Sequence, residues 1–218
     1  MLLARMRVFA LSLSILAAIA CAPPARAQDP PPRIGPFVVD LHGTFPKFPE
    51  EPLLADSRGM TLAELPGAGL GLQVGIHVYP VRWKAITLGL GGEYASTRAR
   101  QAPGDGVIGV RAAEERFSSL TPQISFNFGT GRGWSYFSGG VGNSKWSIVP
   151  QGQDGYPPDT DSVKTINYGG GARWFARSHL AFSIDVRFYA MNPGPSGFAF
   201  PQRPRTTLMI VGAGLSVK

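Results

Sequence analysis

From Pro36 to the C-terminus, apolar and polar positions alternate with a period of two, the spacing of half-apolar β-strands. Leu70, Leu72, Val74, Ile76 and Val78 share one face of an extended segment, and Gly71, Gln73, Gly75, His77 and Tyr79 share the other. Ile86, Leu88 and Leu90 alternate with Thr87, Gly89, Gly91 and Glu93. Leu120, Ile124, Phe126 and Phe128 alternate with Thr121, Gln123, Ser125 and Asn127. Leu180, Phe182, Ile184, Val186 and Phe188 alternate with Ala181, Ser183, Asp185, Arg187 and Tyr189. Weaker versions over residues 37–45, 134–146, 166–175 and 206–217 complete a set of eight strands, each close to the ~9–11 residues that a tilted strand needs to cross a bilayer. Small residues blur the two faces of the fifth and eighth. Residues 53–65, in the first long connection, are the one stretch suited to a short helix.

The connections alternate in length. Tight segments near residues 81–84, 130–133 and 177–179 join strands 2–3, 4–5 and 6–7, whereas residues 46–69, 101–115, 150–163 and 193–205 form long loops between the other pairs. A secreted sandwich has no reason to sort its loops in this way, while an outer-membrane barrel has short periplasmic turns and long external loops. The fold expected is all-β, an eight-stranded antiparallel up-and-down transmembrane barrel spanning residues 36–218, with both termini in the periplasm. Pro122, inside the fourth strand, removes a ladder donor and suggests a bulge there.

Charge supports this assignment. With the apolar face of each strand turned to lipid, Asp40, Glu93, Arg173, Asp185 and Arg187 all take the opposite, inward face, where they must pair because an isolated buried charge is costly. His42 and His77 share that interior, and inward glycines such as Gly91, Gly169 and Gly171 leave room for long side chains opposite. Eight strands enclose only enough space for side chains, so a wide permanent pore is not expected. Aromatic residues near the strand ends suggest interfacial girdles. Tyr79, Trp83, Phe128, Trp134 and Trp174 mark the short-turn side, and Phe45, Tyr94, Phe117, Trp146 and Tyr189 the long-loop side.

Composition adds the export signal. The chain has 218 residues and a formal net charge of +7. Arg5 and Arg7 precede an apolar run ending near Ala20, and Ala25-Arg26-Ala27 supplies small residues for cleavage, so residues 1–27 read as a signal peptide. Its removal takes away three arginines and leaves about +4, which withdraws the main support for a nucleic-acid partner. The single cysteine, Cys21, leaves with the signal. The alternative reading is a lipoprotein site at Ala18-Ile19-Ala20-Cys21 that would leave Cys21 lipidated. Residues 28–35 form a proline-rich periplasmic lead, read as an extended spacer.

Asn167-Tyr168-Gly169-Gly170-Gly171-Ala172-Arg173-Trp174-Phe175, a tight turn, and Leu180-Ala181-Phe182-Ser183-Ile184-Asp185-Val186-Arg187 form a glycine-rich strand followed by an Asp-x-Arg strand. In this passage the chain resembles the small outer-membrane β-barrel family that includes the OmpA transmembrane domain and OmpX. The resemblance spans about residues 34–218. It implies insertion by the outer-membrane assembly machinery and contact with outer-membrane lipids and lipopolysaccharide. Family members usually end the last strand on an aromatic residue, whereas this chain ends Ser216-Val217-Lys218.

No catalytic motif emerges. His179 lies in a turn, and no serine is evident beside His42 or His77 at a membrane-facing site, so satisfied interior histidines are the expectation. Residues 139–145 lack the Gly-Lys-Ser/Thr order of a phosphate loop. Asp154, Asp159 and Asp161 do not have the spacing of a calcium loop. Arg98, Arg100, Arg111 and Arg116 flank the second long loop, where they could meet lipid phosphates. The sequence therefore suggests a monomeric, cofactor-free, non-enzymatic barrel with a structural or surface-interaction role. The alternatives are a narrow or gated pore built on the interior charges, a soluble lipocalin-like binding barrel and, last, a lipid-modifying enzyme.

Overall fold

The computed structural model describes residues 32–104, 110–150, 161–194 and 201–218. Eight strands form a closed barrel: β1 (Phe37–Lys47), β2 (Gly69–Trp83), β3 (Ile86–Gln101), β4 (Ala113–Thr130), β5 (Gly133–Pro150), β6 (Asp161–Phe175), β7 (Leu180–Met191) and β8 (Thr206–Val217). Every neighbouring pair is antiparallel, and β1 pairs with β8 from Val39↔Val217 to Lys47↔Met209, leaving no free sheet edge. Closure places every second side chain outside. Leu70, Leu72, Val74, Ile76 and Val78 are all exposed, while Gln73 and His77 between them are buried. Among the described residues no helix is long and apolar enough to cross a membrane.

β3, β4 and β5 are longer than the period suggested, at 16, 18 and 18 residues. The apolar outer band of β3 runs from Ile86 to Tyr94 and that of β4 from Phe128 back to Leu120, with Tyr94 and Leu120 directly paired. Beyond this pair the same strands continue with Ser96, Arg98 and Arg100 beside Ser118, Arg116 and Glu114. The ladder thus outlasts the hydrophobic pattern, because backbone pairing does not require apolar side chains.

The bulge lies elsewhere than expected. Register across β3–β4 is unbroken through Pro122↔Gly92, and β4–β5 merely skips two pairs there without a slip. The shift falls between Val78 and Val81 on β2, at Tyr79-Pro80, where Pro80 can supply no ladder N–H. β2 then extends to Trp83, so the turn is only Lys84-Ala85, with Lys84 at φ 54°.

Two connections are built into the barrel. The first long loop folds into a short helix, α1 (Pro52–Asp56), and a 3₁₀ turn, Leu62–Glu64. At the other end, the last residues of the lead dock rather than hang free: the Gly131 N–H donates to the Pro32 carbonyl at 2.6 Å, and the Tyr79 N–H to Pro36 at 2.9 Å. Residues 1–31, with the proposed signal peptide and Cys21, lie outside the described residues, as do Asp154, Asp159 and the side chain of Asp161.

Candidate functional site

The inward faces of the strands stack into three layers. The middle layer is a charged belt. Asp40 on β1 accepts two hydrogen bonds from Arg173 on β6, from Nε at 2.8 Å and Nη2 at 2.6 Å, and a third from the Ser216 hydroxyl on β8. Glu93 on β3 accepts from Gln73 Nε2 at 2.7 Å, Asn167 Nδ2 at 2.8 Å and the Tyr189 hydroxyl at 2.7 Å. Arg187 Nε lies 2.7 Å from Asp185 and 3.2 Å from Glu93. Tyr136 donates to Asp185, and the Arg173 guanidinium sits 4.0 Å from the Tyr136 ring centroid. All five charged residues named from the sequence are 4% exposed or less, so the sheet brings them together out of solvent.

Glycine supplies the space for these side chains. A Cβ at Gly171 would lie 2.7 Å from the Tyr136 hydroxyl oxygen, and one at Gly91 would lie 2.5 Å from the His77 ring. The histidines do not join the ion pairs by hydrogen bonding. His42 Nε2 lies 2.7 Å from the Ser183 hydroxyl, whose oxygen is also 2.9 Å from that of Ser216. The serine sought beside the histidines was one at a membrane-facing site; Ser183 instead points inward from β7 and meets His42 in the barrel interior, a proximity that strand order alone does not reveal. Ser183 is wholly buried, so a lipid carbonyl would have to enter the barrel to meet it. Neither ring nitrogen of His77 has a protein partner.

Apolar layers lie on either side of the belt. At the short-turn end, Val38, Trp134 and Tyr136 pack together, with Ile34, Tyr79 and Phe175 against them. Trp134 stacks on Phe175 at 5.0 Å, and Tyr79 meets Trp134 edge-on at 5.9 Å. At the long-loop end, Phe48, Leu54, Ala55, Met60 and Leu65 of the first loop pack onto Phe117, Trp146, Tyr189, Met191, Leu208 and Ile210 from the strands. The loop is thus a plug seated in the barrel mouth.

These layers correct half of the expected girdle. Tyr79, Trp134, Phe117, Trp146 and Tyr189 point inward, because each shares the parity of the polar interior positions on its strand or, in β5, of Ser138 and Ser144. Phe45, Trp83, Tyr94, Phe128 and Trp174 face outward and are exposed. β5, whose faces the sequence leaves open, turns Lys145 outward.

The sequence reading named Arg111 only for lipid phosphates and missed Glu64, whereas the structure uses this pair to hold the plug. Glu64 on the 3₁₀ turn accepts from Arg111 Nε at 2.7 Å, the Arg111 backbone N–H at 3.0 Å and the Thr61 backbone N–H at 2.7 Å. The Arg111 guanidinium, bonded to the carboxylate, holds Glu64 down at about 2. Thr61-x-x-Glu64 is a capping-box spacing, which is the signal that could have revealed this acid. Trp146 Nε1 donates to the buried Glu115 at 2.6 Å, and the Arg203 guanidinium lies 4.9 Å from the Trp146 ring. Among the described residues, no group of three or more His, Cys, Asp or Glu side chains could hold a metal ion.

No protein-family model matches the chain, and no curated protein sequence matches it. Solved structures do. Neisserial surface protein A (NspA) superposes with a TM-score of 0.53 at 13% identity, covering 84% of this chain and 97% of that one. The outer membrane protein OprG from Pseudomonas aeruginosa superposes with a TM-score of 0.50 at 11% identity, covering 86% and 97%. The chain therefore has the fold of the small eight-stranded outer-membrane β-barrels.

Proposed function

We propose that this chain is a bacterial outer-membrane protein, exported by its N-terminal signal, whose closed barrel has a structural or surface-interaction role. The observation that carries the reading is the division of chemistry across the wall: an apolar outer face opposite a charged interior that is covered at both ends by packed side chains. This is the reverse of a soluble ligand-binding barrel, whose apolar residues face a cavity, and it matches what lipid outside and little water inside require. The covered interior weighs against a pore, and in this reading the barrel is monomeric, non-enzymatic and cofactor-free. The long external loops are its interaction surface, outer-membrane lipids and lipopolysaccharide its surroundings, and the outer-membrane assembly machinery its route of insertion.

Membrane fractionation followed by gel electrophoresis with and without boiling tests the reading. Recovery with outer membranes and faster migration of the unboiled protein are expected, since folded barrels resist detergent. Recovery in the soluble fraction, or identical migration, would overturn it.

A further inference from the structure

Just beyond the apolar band, the outer surface of β2–β5 carries a groove of about 650 Å³. Its two sides differ in chemistry. On one side, along β2, stand Leu70 and Leu72, with Tyr94 of β3 at the apolar end, and they are 66%, 61% and 49% exposed. On the other stand Arg98, Arg116 and Lys145, and the floor between is made of small serines such as Ser96 and Ser118.

The cations are placed in a way that folding alone does not favour. Arg98 and Arg116 are direct cross-strand partners on β3 and β4, and like charges in that relation destabilise a sheet. The single acid among them, Glu114, is shared by Arg98, Arg100 and Arg116. With Lys145 the rim carries four cations and one acid, a surplus of three positive charges. Forked guanidinium groups bind phosphate oxygens in pairs, and a lysine contributes a compact point charge. An exposed leucine wall on β2, with Leu70 directly opposite Arg98 and Leu72 opposite Ser96, suits an acyl chain rather than a water-soluble anion.

We infer that this groove binds a phosphorylated, acylated glycolipid of the outer leaflet, with lipid A chemistry. Its phosphate lies between Arg98, Arg116 and Lys145, and an acyl chain runs along Leu70 and Leu72. The assignment rests on the outer-membrane reading above, which places this end of the barrel in the external leaflet.

The test uses the mature protein in phosphatidylcholine nanodiscs, titrated with bis-phosphorylated lipid A and followed by native mass spectrometry. The triple variant Arg98→Gln, Arg116→Gln, Lys145→Gln is compared with wild type. One tightly held lipid A per wild-type barrel is expected, with binding at least about tenfold weaker in the variant. Inorganic phosphate should not displace the lipid, and Leu72→Ser should weaken lipid A without creating phosphate binding. Equal binding by the triple variant, or no preference of wild type for lipid A over phosphatidylcholine, would overturn the inference. Displacement by inorganic phosphate would also overturn it, by showing a free-anion site. All three proteins are first checked for the boiling-dependent gel shift, so loss of the barrel is distinguishable from loss of the lipid site.

Discussion

Arg173 joins the ionic belt to the aromatic layer: it holds Asp40 with two nitrogens and covers the face of Tyr136. Replacing it with Met leaves a carboxylate buried without its cation, and truncating one partner of such a pair costs about 3–5 kcal/mol. Urea unfolding of the reconstituted Arg173→Met protein should show that loss, and adding Asp40→Asn should recover much of it. An Arg173→Met barrel as stable as wild type would refute the pairing argument. Gly171 offers a complementary test. A methyl group there meets the Ile184 carbonyl oxygen at 2.3 Å as well as the Tyr136 hydroxyl. Gly171→Ala should therefore destabilise by about 1–3 kcal/mol through overpacking, read in the same unfolding assay. The five charges and the inward glycines could be read from the sequence because parity in a strand is a strict rule. The same rule already set Tyr79 and Tyr189 on the polar face, and continued along β4 it puts Phe117 there too. Reading them as a girdle failed because aromatic residues at strand ends serve two environments, lipid headgroups outside and apolar end layers inside.

At the scale of elements, the strands were plain in the pattern and the plug was not. Period two reports which face meets lipid, but α1 and the 3₁₀ turn bury Leu54, Met60 and Leu65 in a loop with no repeat to reveal it. The suspected short helix lies in this stretch, and what could not be foreseen was that it enters the barrel mouth. Its docking should depend on pH. The free carboxyl value of Glu64 is 4.5 and the docked value about 2, so Arg111 contributes fully above 4.5, and that contribution is lost as pH falls toward 2. Hydrogen exchange in residues 54–65 should accelerate over that interval. Glu64→Gln should show the faster exchange already at neutral pH, and protection unchanged in the variant would refute the latch. Strand ends were the other gap: beyond Tyr94 and Leu120 the outer face turns polar, the inner face mixes Ala95, Ala99, Ala113 and Phe117 with polar residues, and only hydrogen bonding identifies these stretches as sheet.

The molecule as a whole is a tube filled in series by an aromatic layer, an ionic belt and an apolar plug. A conducting path would have to pass all three. Planar bilayers containing the purified protein should therefore stay electrically silent at neutral pH, and steady single-channel steps from wild type would contradict the layered interior.

The partners of Asp40 also bear on assembly. Arg173 is 133 residues away in sequence and Ser216 is 176, on the last strand to emerge. Contacts of such separation form late, because the entropy of closing the chain must be offset first. Until β8 docks against β1, the belt is an incomplete set of charges facing an open seam. A partly zipped sheet therefore carries an electrostatic penalty that the closed barrel removes. The full set of bonds to Asp40 exists only in a molecule whose first and last strands have met in register.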